Sequence, residues 1–242
     1  MRCRLCLKDE NKLCNSHIIP ELFYKSLYDE PHRYTLITED STVKNKFKQK
    51  GIREILLCKT CERKLGNYEK YVNENLMRDI EKLKINKINN RIILKRKFDY
   101  KTLKLFQLSL LWRASISSHQ MFKSVKLGFY EEKIRRMIYT QNPGKYFEFG
   151  CVMGLIKMGD IIGNGFMFTP HRDNSFGIVR YYFIFGGLYW IFIVSNKNKK
   201  LKIRELFLQQ DGKLILSVKR LEDISYLSSF NDKVYAQGKL HH

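Results

Sequence analysis

The sequence predicts an α+β protein with a cysteine-anchored head, a helical middle and a C-terminal part of antiparallel strands with helices. Three observations carry that expectation. Two Cys-x-x-Cys pairs, Cys3/Cys6 and Cys58/Cys61, bracket the head. Leu65, Tyr68, Val72, Leu76, Ile80 and Leu83 recur at three- and four-residue steps, which marks one buried helix face. From Tyr146 onward the chain turns to aromatic and β-branched runs, and Gly186-Gly187 divides the longest of them as a hairpin turn would.

Taken in order, residues 1–20 read as a knuckle, a turn and the strand-like Ser16-His17-Ile18-Ile19-Pro20. Leu22, Phe23, Leu27 and Tyr28 predict one or two helical turns, which Pro31 stops. Residues 33–57 alternate enough for short strands or an ordered loop. The strongest helix starts at Cys58–Cys61, with Gly66 a weak point in it unless something packs closely there. Arg91 to Lys97 is a further strand or helix. Asp99 then caps a second helix carrying Leu103, Phe106, Leu110, Leu111 and Ala114, which ends near Ser117–Ser118. Glu131 to Tyr139 forms a third. Strands are expected at Phe147–Met153, Gly165–Phe168, Gly177–Ser195 and Leu214–Val218, with a closing helix from Leu221 to Phe230. His171-Arg172-Asp173-Asn174 reads as a polar loop between strands. A soft boundary near residue 98 separates a 1–98 zinc domain from a 99–238 helical and β-rich domain. The closing 239–242 resembles a tag remnant.

Lys and Arg number 45 against 24 Asp and Glu, a net charge of +21. Apolar residues make up 44% of the chain, with 16 Phe and 14 Tyr, enough for a substantial core and against disorder over most of the length. No apolar run reaches membrane-spanning length, and the start lacks a secretion signal, so the expectation is a soluble, cytoplasmic protein with no membrane partner. The cationic excess favours a polyanion, nucleic acid first. It is concentrated in two runs. Lys44, Lys46, Lys48 and Lys50 alternate along an extended segment and share one side of it. Lys82, Lys84, Lys87, Arg91, Lys95, Arg96 and Lys97 lie between Glu81 and Asp99 with no acid among them. Either run alone could be a solvated face; two runs flanking one metal module favour nucleic acid.

Paired thiolates two residues apart can share one zinc ion, each sulfur about 2.3 Å from the metal. Cys3, Cys6, Cys58 and Cys61 therefore offer a closed structural Zn²⁺ site, and a reducing compartment favours thiolates over disulfides. The second pair opens a helix, as in treble-clef fingers. Cys14-x-x-His17 also has ligand spacing, leaving a rival set that uses Cys14 or His17; otherwise Cys14 and Cys151 are ordinary small buried residues.

The stretch from Cys3 to about Ile80, roughly a third of the chain, resembles the zinc-bearing HNH endonucleases, a ββα-metal family built on a treble clef. The residues that carry the resemblance are the cysteine pairs, Ser16-His17-Ile18-Ile19-Pro20, and Leu57-Cys58-Lys59-Thr60-Cys61-Glu62. It implies that His17 is the general base that deprotonates the water attacking a phosphodiester, a task suited to an imidazole with an ordinary pKa near 6.5. Ser16 stands where that family places an acidic ligand, Arg53 about where it places Asn, and Glu62 where it places His. Glu62 could replace the missing ligand for a catalytic Mg²⁺ or Mn²⁺. Glu69 lies nearly two turns on and projects from nearly the same side. Neither glutamate has the helix-surface ion pairs that would explain it otherwise, beyond Lys59 near Glu62.

Trp112 reads as core, and Arg113, ending an apolar helix, needs a phosphate or an acid of the head as partner. The aromatic run Tyr181 to Tyr189 reads as core because half of a hairpin's side chains face inward. These readings lead to an expected metal-dependent endonuclease, with DNA favoured over RNA as its substrate. Its basic runs, with Arg53 and Arg113, would grip the backbone, and its C-terminal domain would orient substrate, bind a protein partner or form a homodimer. A bacterial role against foreign DNA, such as phage, follows from the resemblance alone. The competing expectation is a zinc-stabilised DNA- or RNA-binding protein without catalysis; a third is a protein whose basic face meets an acidic partner.

Overall fold

The computed structural model describes residues 1–25, 27–36, 46–81, 91–93, 97–158, 161–162, 167–195, 201–220 and 223–224. In chain order the strands are β1 Cys14–His17, β2 Tyr34–Leu36, β3 Lys46–Lys48 and β4 Arg53–Leu57. Helix α1, Lys59–Val72, follows; its axis passes through a π turn at Asn73–Met77 into the short α2, Arg78–Glu81. Next come β5 Arg91–Ile93, α3 Tyr100–Ile116 and α4 Tyr130–Tyr139. The remaining strands are β6 Cys151–Met158, β7 Ile161–Ile162, β8 Phe168–Asp173, β9 Val179–Phe185, β10 Leu188–Val194 and β11 Ile215–Arg220. The architecture is mixed α and β, and no helix among the described residues is long and apolar enough to cross a membrane.

The head is built on a ribbon. β1 pairs antiparallel with β4, which sets Ser16 opposite Glu54 and His17 opposite Arg53. β2 and β3 pair between them in sequence as a separate antiparallel ribbon. Because α1 begins two residues after β4, strand, strand and helix form one ββα unit. The helix face read from the sequence is the buried one: Leu65, Tyr68, Val72, Leu76 and Ile80 are all buried.

The large sheet runs in the order β5-β11-β6-β10-β9-β8, with β7 on β6. All its pairs are antiparallel except β11 with β6. Gly186 and Gly187, with φ of 61° and 73°, make the tight turn between β9 and β10. A Cβ at Gly186 would lie 2.5 Å from the Phe23 ring, so the turn doubles as a seat for a head residue. Phe23 also packs at 4.7 Å, centroid to centroid, from Phe185 and 6.0 Å from Trp190. One buried cluster consequently runs from Cys3 to Leu216, across the boundary expected near residue 98. β5, also on the head side of that boundary, pairs with β11 of the large sheet.

Helix α3 is the axis of this cluster. Asp99 caps it, accepting from the Thr102 amide at 2.7 Å. Every residue from Leu103 to Ser115 is buried, as befits a helix covered on all sides. Burial extends to Lys104, whose Nζ donates to the Phe149 carbonyl at 2.8 Å and whose pKa desolvation lowers to about 8.

Two sequence expectations shift, those for β6 and β8. β6 starts at Cys151 rather than Phe147, because residues before it form a turn in which Phe149 takes φ 48°. β8 continues through Asp173, so His171, Arg172 and Asp173 are strand residues paired with β9; only Asn174 onward is loop. Gly66 meets nothing within 4 Å of its missing Cβ, so it is the weak point in α1 that the sequence suggests. Most of the expected 221–230 helix falls outside the described residues.

Gly66 is exposed and helical, and replacing it reduces only the entropy lost on folding. Gly66→Ala is expected to raise stability by about 0.5–1 kcal/mol in denaturant unfolding. Gly186→Ala, at positive φ and against Phe23, is expected to lower it.

Candidate functional site

Four cysteines converge where β4 hands over to α1. The Sγ atoms of Cys3, Cys6, Cys58 and Cys61 all lie within 4.8 Å of one another, and Cys6 and Cys58 are 3.9 Å apart. A tetrahedral zinc with bonds near 2.3 Å needs sulfurs about 3.8 Å apart, so the four fit a metal ion such as zinc. The chemistry of the donors agrees. Burial raises the Cys3 thiol, but backbone amides outweigh it, chiefly the Cys58 N–H at 3.2 Å from Cys3 Sγ, and bring it down to about 7. Burial, then neighbouring sulfurs, push the Cys61 thiol well up, a cost that a divalent cation at the centre would offset. Cys14 is not part of this set; it sits on β1 opposite Leu57. His17, three residues further along β1, is also outside it.

His17 ends β1. Its Nε2 lies 2.7 Å from Glu21 Oε2 and 2.8 Å from Arg53 Nε. Arg53 reaches it because the two residues are directly opposed across β1 and β4. Arg53 can only donate, so with it in place a neutral His17 accepts through Nε2; a protonated ring would instead donate from Nε2 to Glu21. Desolvation, then the Arg53 charge, pulls the imidazole below its ordinary 6.5, against the opposing pull of Glu21. The ring is therefore neutral at pH 7. Glu21 is itself held by Tyr28, whose hydroxyl donates to Oε1 at 2.7 Å.

Of the two glutamates of α1, Glu62 reaches β1 directly and Glu69 only through Arg113. Ser16 Oγ donates to Glu62 Oε2 at 2.6 Å. Arg113 Nη1 donates both to Glu69 Oε1 at 2.8 Å and to the His17 carbonyl at 2.9 Å. Arg113 is 2% exposed, so Glu69 is the charge that makes its burial tolerable. Its Nη2 has no hydrogen-bond partner among the described residues. Among those residues the four cysteines are also the only convergent set of three or more metal-ligating side chains. His17, Glu62 and Glu69 do not form a second one.

The basic runs are only partly in view. Lys44, Lys84, Lys87, Lys95 and Arg96 lie outside the described residues; Lys46 and Lys48 fall on β3 and Arg91 on β5, with their side chains undescribed. Lys50 is exposed, and Lys97 stands 4.0 Å from Asp211 on the surface. Trp112 and the aromatics Tyr181, Phe183 and Phe185 are core.

Sequence reasoning missed Glu21, Tyr28 and Glu54. The His17/Glu21 spacing of four was readable, but Pro20 between them removes the helix that would give it meaning. Glu54 accepts from the Ser118 amide at 3.0 Å and from the hydroxyls of Ser117 and Ser118, tying β4 to the end of α3. Only the folded chain brings those partners together. Comparison of the chain with protein-family models, curated proteins and solved structures finds no match.

Two outcomes are expected here. The purified protein should carry about one zinc per chain by elemental analysis; Cys3→Ser or Cys58→Ser should lose it and unfold the head, while Cys14→Ser keeps it. In an NMR titration the His17 ring should change charge below pH 6.5. Removing the cation with Arg53→Met should move the midpoint up, and removing the anion with Glu21→Gln should move it further down.

Proposed function

We propose that the chain is a metal-dependent endonuclease of the zinc-bearing HNH kind, hydrolysing phosphodiester bonds in nucleic acid, with DNA favoured. The observation that carries the reading is the ββα unit. It places a neutral imidazole at the end of β1, the strand that Glu62 of α1 reaches through Ser16 and to which Arg113 links Glu69, and a four-cysteine site closes the unit at the β4–α1 junction.

In this reading His17 is the general base. Being neutral at pH 7, it can take a proton from water, and the rate falls as pH drops through its depressed pKa. Arg53 covers Nε2 in the free protein, and a substrate phosphate drawing the guanidinium away would uncover it. Glu21, with Tyr28 behind it, would then accept the Nε2 proton's hydrogen bond and stabilise the charged ring. Glu62 is the residue that would hold a Mg²⁺ or Mn²⁺ ion, which when bound supplies a counter-charge for the phosphoryl and leaving oxygens. Glu69 supports the site through Arg113. The zinc is structural. A part in bacterial defence is an extension of the same resemblance.

A second reading has one observation in its favour: Glu69 is committed to Arg113, and no second convergent ligand set exists among the described residues. A zinc-stabilised nucleic-acid-binding protein without catalysis would look the same. Plasmid DNA and structured RNA incubated with Mg²⁺ or Mn²⁺ separate the two. Wild type should cleave, and His17→Ala, still zinc-loaded, should be slower by about a hundredfold or more. No cleavage by the wild type, with salt-sensitive binding retained, would select the binding protein.

A further inference from the structure

At the tip of the β8–β9 connection, Phe176 is 92% exposed, the most exposed of the large apolar side chains described. Its backbone sits at φ 58°, ψ 28°, a left-handed conformation that bulky residues avoid and that Asn or Gly adopts at lower cost. The loop is nevertheless held in shape from its base. Asp173 Oδ1 accepts from the Ser175 amide at 2.9 Å, and Asp173 Oδ2 accepts from Arg180 Nη1 at 2.8 Å. None of these bonds involves the ring. A phenyl group kept in water, on a backbone that disfavours it, returns nothing to the core, and such an outlier points to a use outside the fold.

The surroundings indicate what the ring meets. Asp173 is the only acid between 161 and 180, and it is paired with Arg180. His171 and Arg172 are exposed on β8. The 120–127 segment lies against these strands, since Ser124 Oγ donates to the Pro170 carbonyl at 2.5 Å and Tyr181 Oη donates to the Lys126 carbonyl. That packing brings exposed Lys123 and Lys126 alongside, in a stretch, 119–130, without a single acid. From Pro170 to Asp173 the strand rises about 10 Å, which corresponds to roughly three stacked nucleotides. An aromatic tip beyond a row of cations is the combination that holds unpaired nucleic acid: phosphates on the charges and a base on the ring. An apolar protein socket would leave those cations without counter-charge.

We infer that the β8–β9 loop contacts an unpaired region of nucleic acid, with Phe176 stacked on a base and Lys123, Lys126 and Arg172 against the adjoining phosphates. This rests on the nucleic-acid reading above but not on cleavage. The substrate class it adds is single-stranded, looped or otherwise unstacked.

Fluorescence anisotropy with the full-length, zinc-loaded protein tests it, using a single-stranded oligonucleotide and its duplex without added Mg²⁺ or Mn²⁺. Phe176→Ala should weaken single-strand binding about tenfold, change duplex binding less than about twofold and leave the salt dependence unaltered. Phe176→Trp should restore binding. Lys123→Gln with Lys126→Gln should flatten the plot of log affinity against log salt by about 1.4. Phe176→Asn should melt no lower than wild type; a lower melting temperature would make the ring structural and overturn the inference. So would an unchanged single-strand affinity for Phe176→Ala, or equal losses for both nucleic acids. A wild type that binds no oligonucleotide would sink this inference and the nucleic-acid reading together, leaving a protein partner. Phe176-dependent binding by a protein that never cleaves would uphold the loop and remove only the endonuclease.

Discussion

A guanidinium buried at the meeting point of three elements is the constraint on which the arrangement of this protein depends. Arg113 leaves the last turns of α3 and grips Glu69 on α1 and the His17 carbonyl on β1 with one nitrogen. A cation that is 2% exposed cannot be left unpaired; removing the partner of such a pair typically costs about 3–5 kcal/mol. Helix, helix and strand are therefore held in one register by charge as well as by packing. Glu54, collecting hydrogen bonds from Ser117 and Ser118, does the same for β4 one turn later. The C-terminal end of α3 thus braces both strands of the ribbon that carries His17.

That bracing bears on how each acidic residue should be understood. A glutamate without a helix-surface partner invites a catalytic assignment, and Glu69 was such a residue. Its partner came from 44 residues away in the chain, and the charge requirement belongs to Arg113 as much as to Glu69. Glu62 is different. Its contact is a neutral hydroxyl, that of fully buried Ser16, which directs the carboxylate without neutralising it. Electrostatically, Glu62 is the less committed of the two.

The legible parts of the sequence were those set by local periodicity and covalent spacing. The helix face of α1, the position of α3, the Asp99 cap, the Gly186-Gly187 hairpin and the four-cysteine cluster all depend on residues close together or on one repeated spacing. What could not be read depends on contacts between distant segments. Arg53 meets His17 only through strand register, Glu21 meets it around a proline, and Phe23 finds its place under a turn more than 160 residues away. The strand identity of His171 to Asp173 was hidden for a similar reason: three polar residues look like a turn until β9 supplies their pairing.

The seat of Phe23 also sets the order of events at the ribosome. The ribbon, the cysteines and α1 all emerge early, but Phe185, Gly186 and Trp190, which enclose Phe23, are made last among its neighbours. At about 5–20 residues per second the interval is on the order of ten seconds. During it the nascent head lacks the wall that completes its core, and contacts of such long sequence separation form slowly even afterwards. A chain of net charge +21 is thereby held close to the messenger RNA with its head unfinished. The head is completed only as the C-terminal sheet closes, a delay written into chain connectivity.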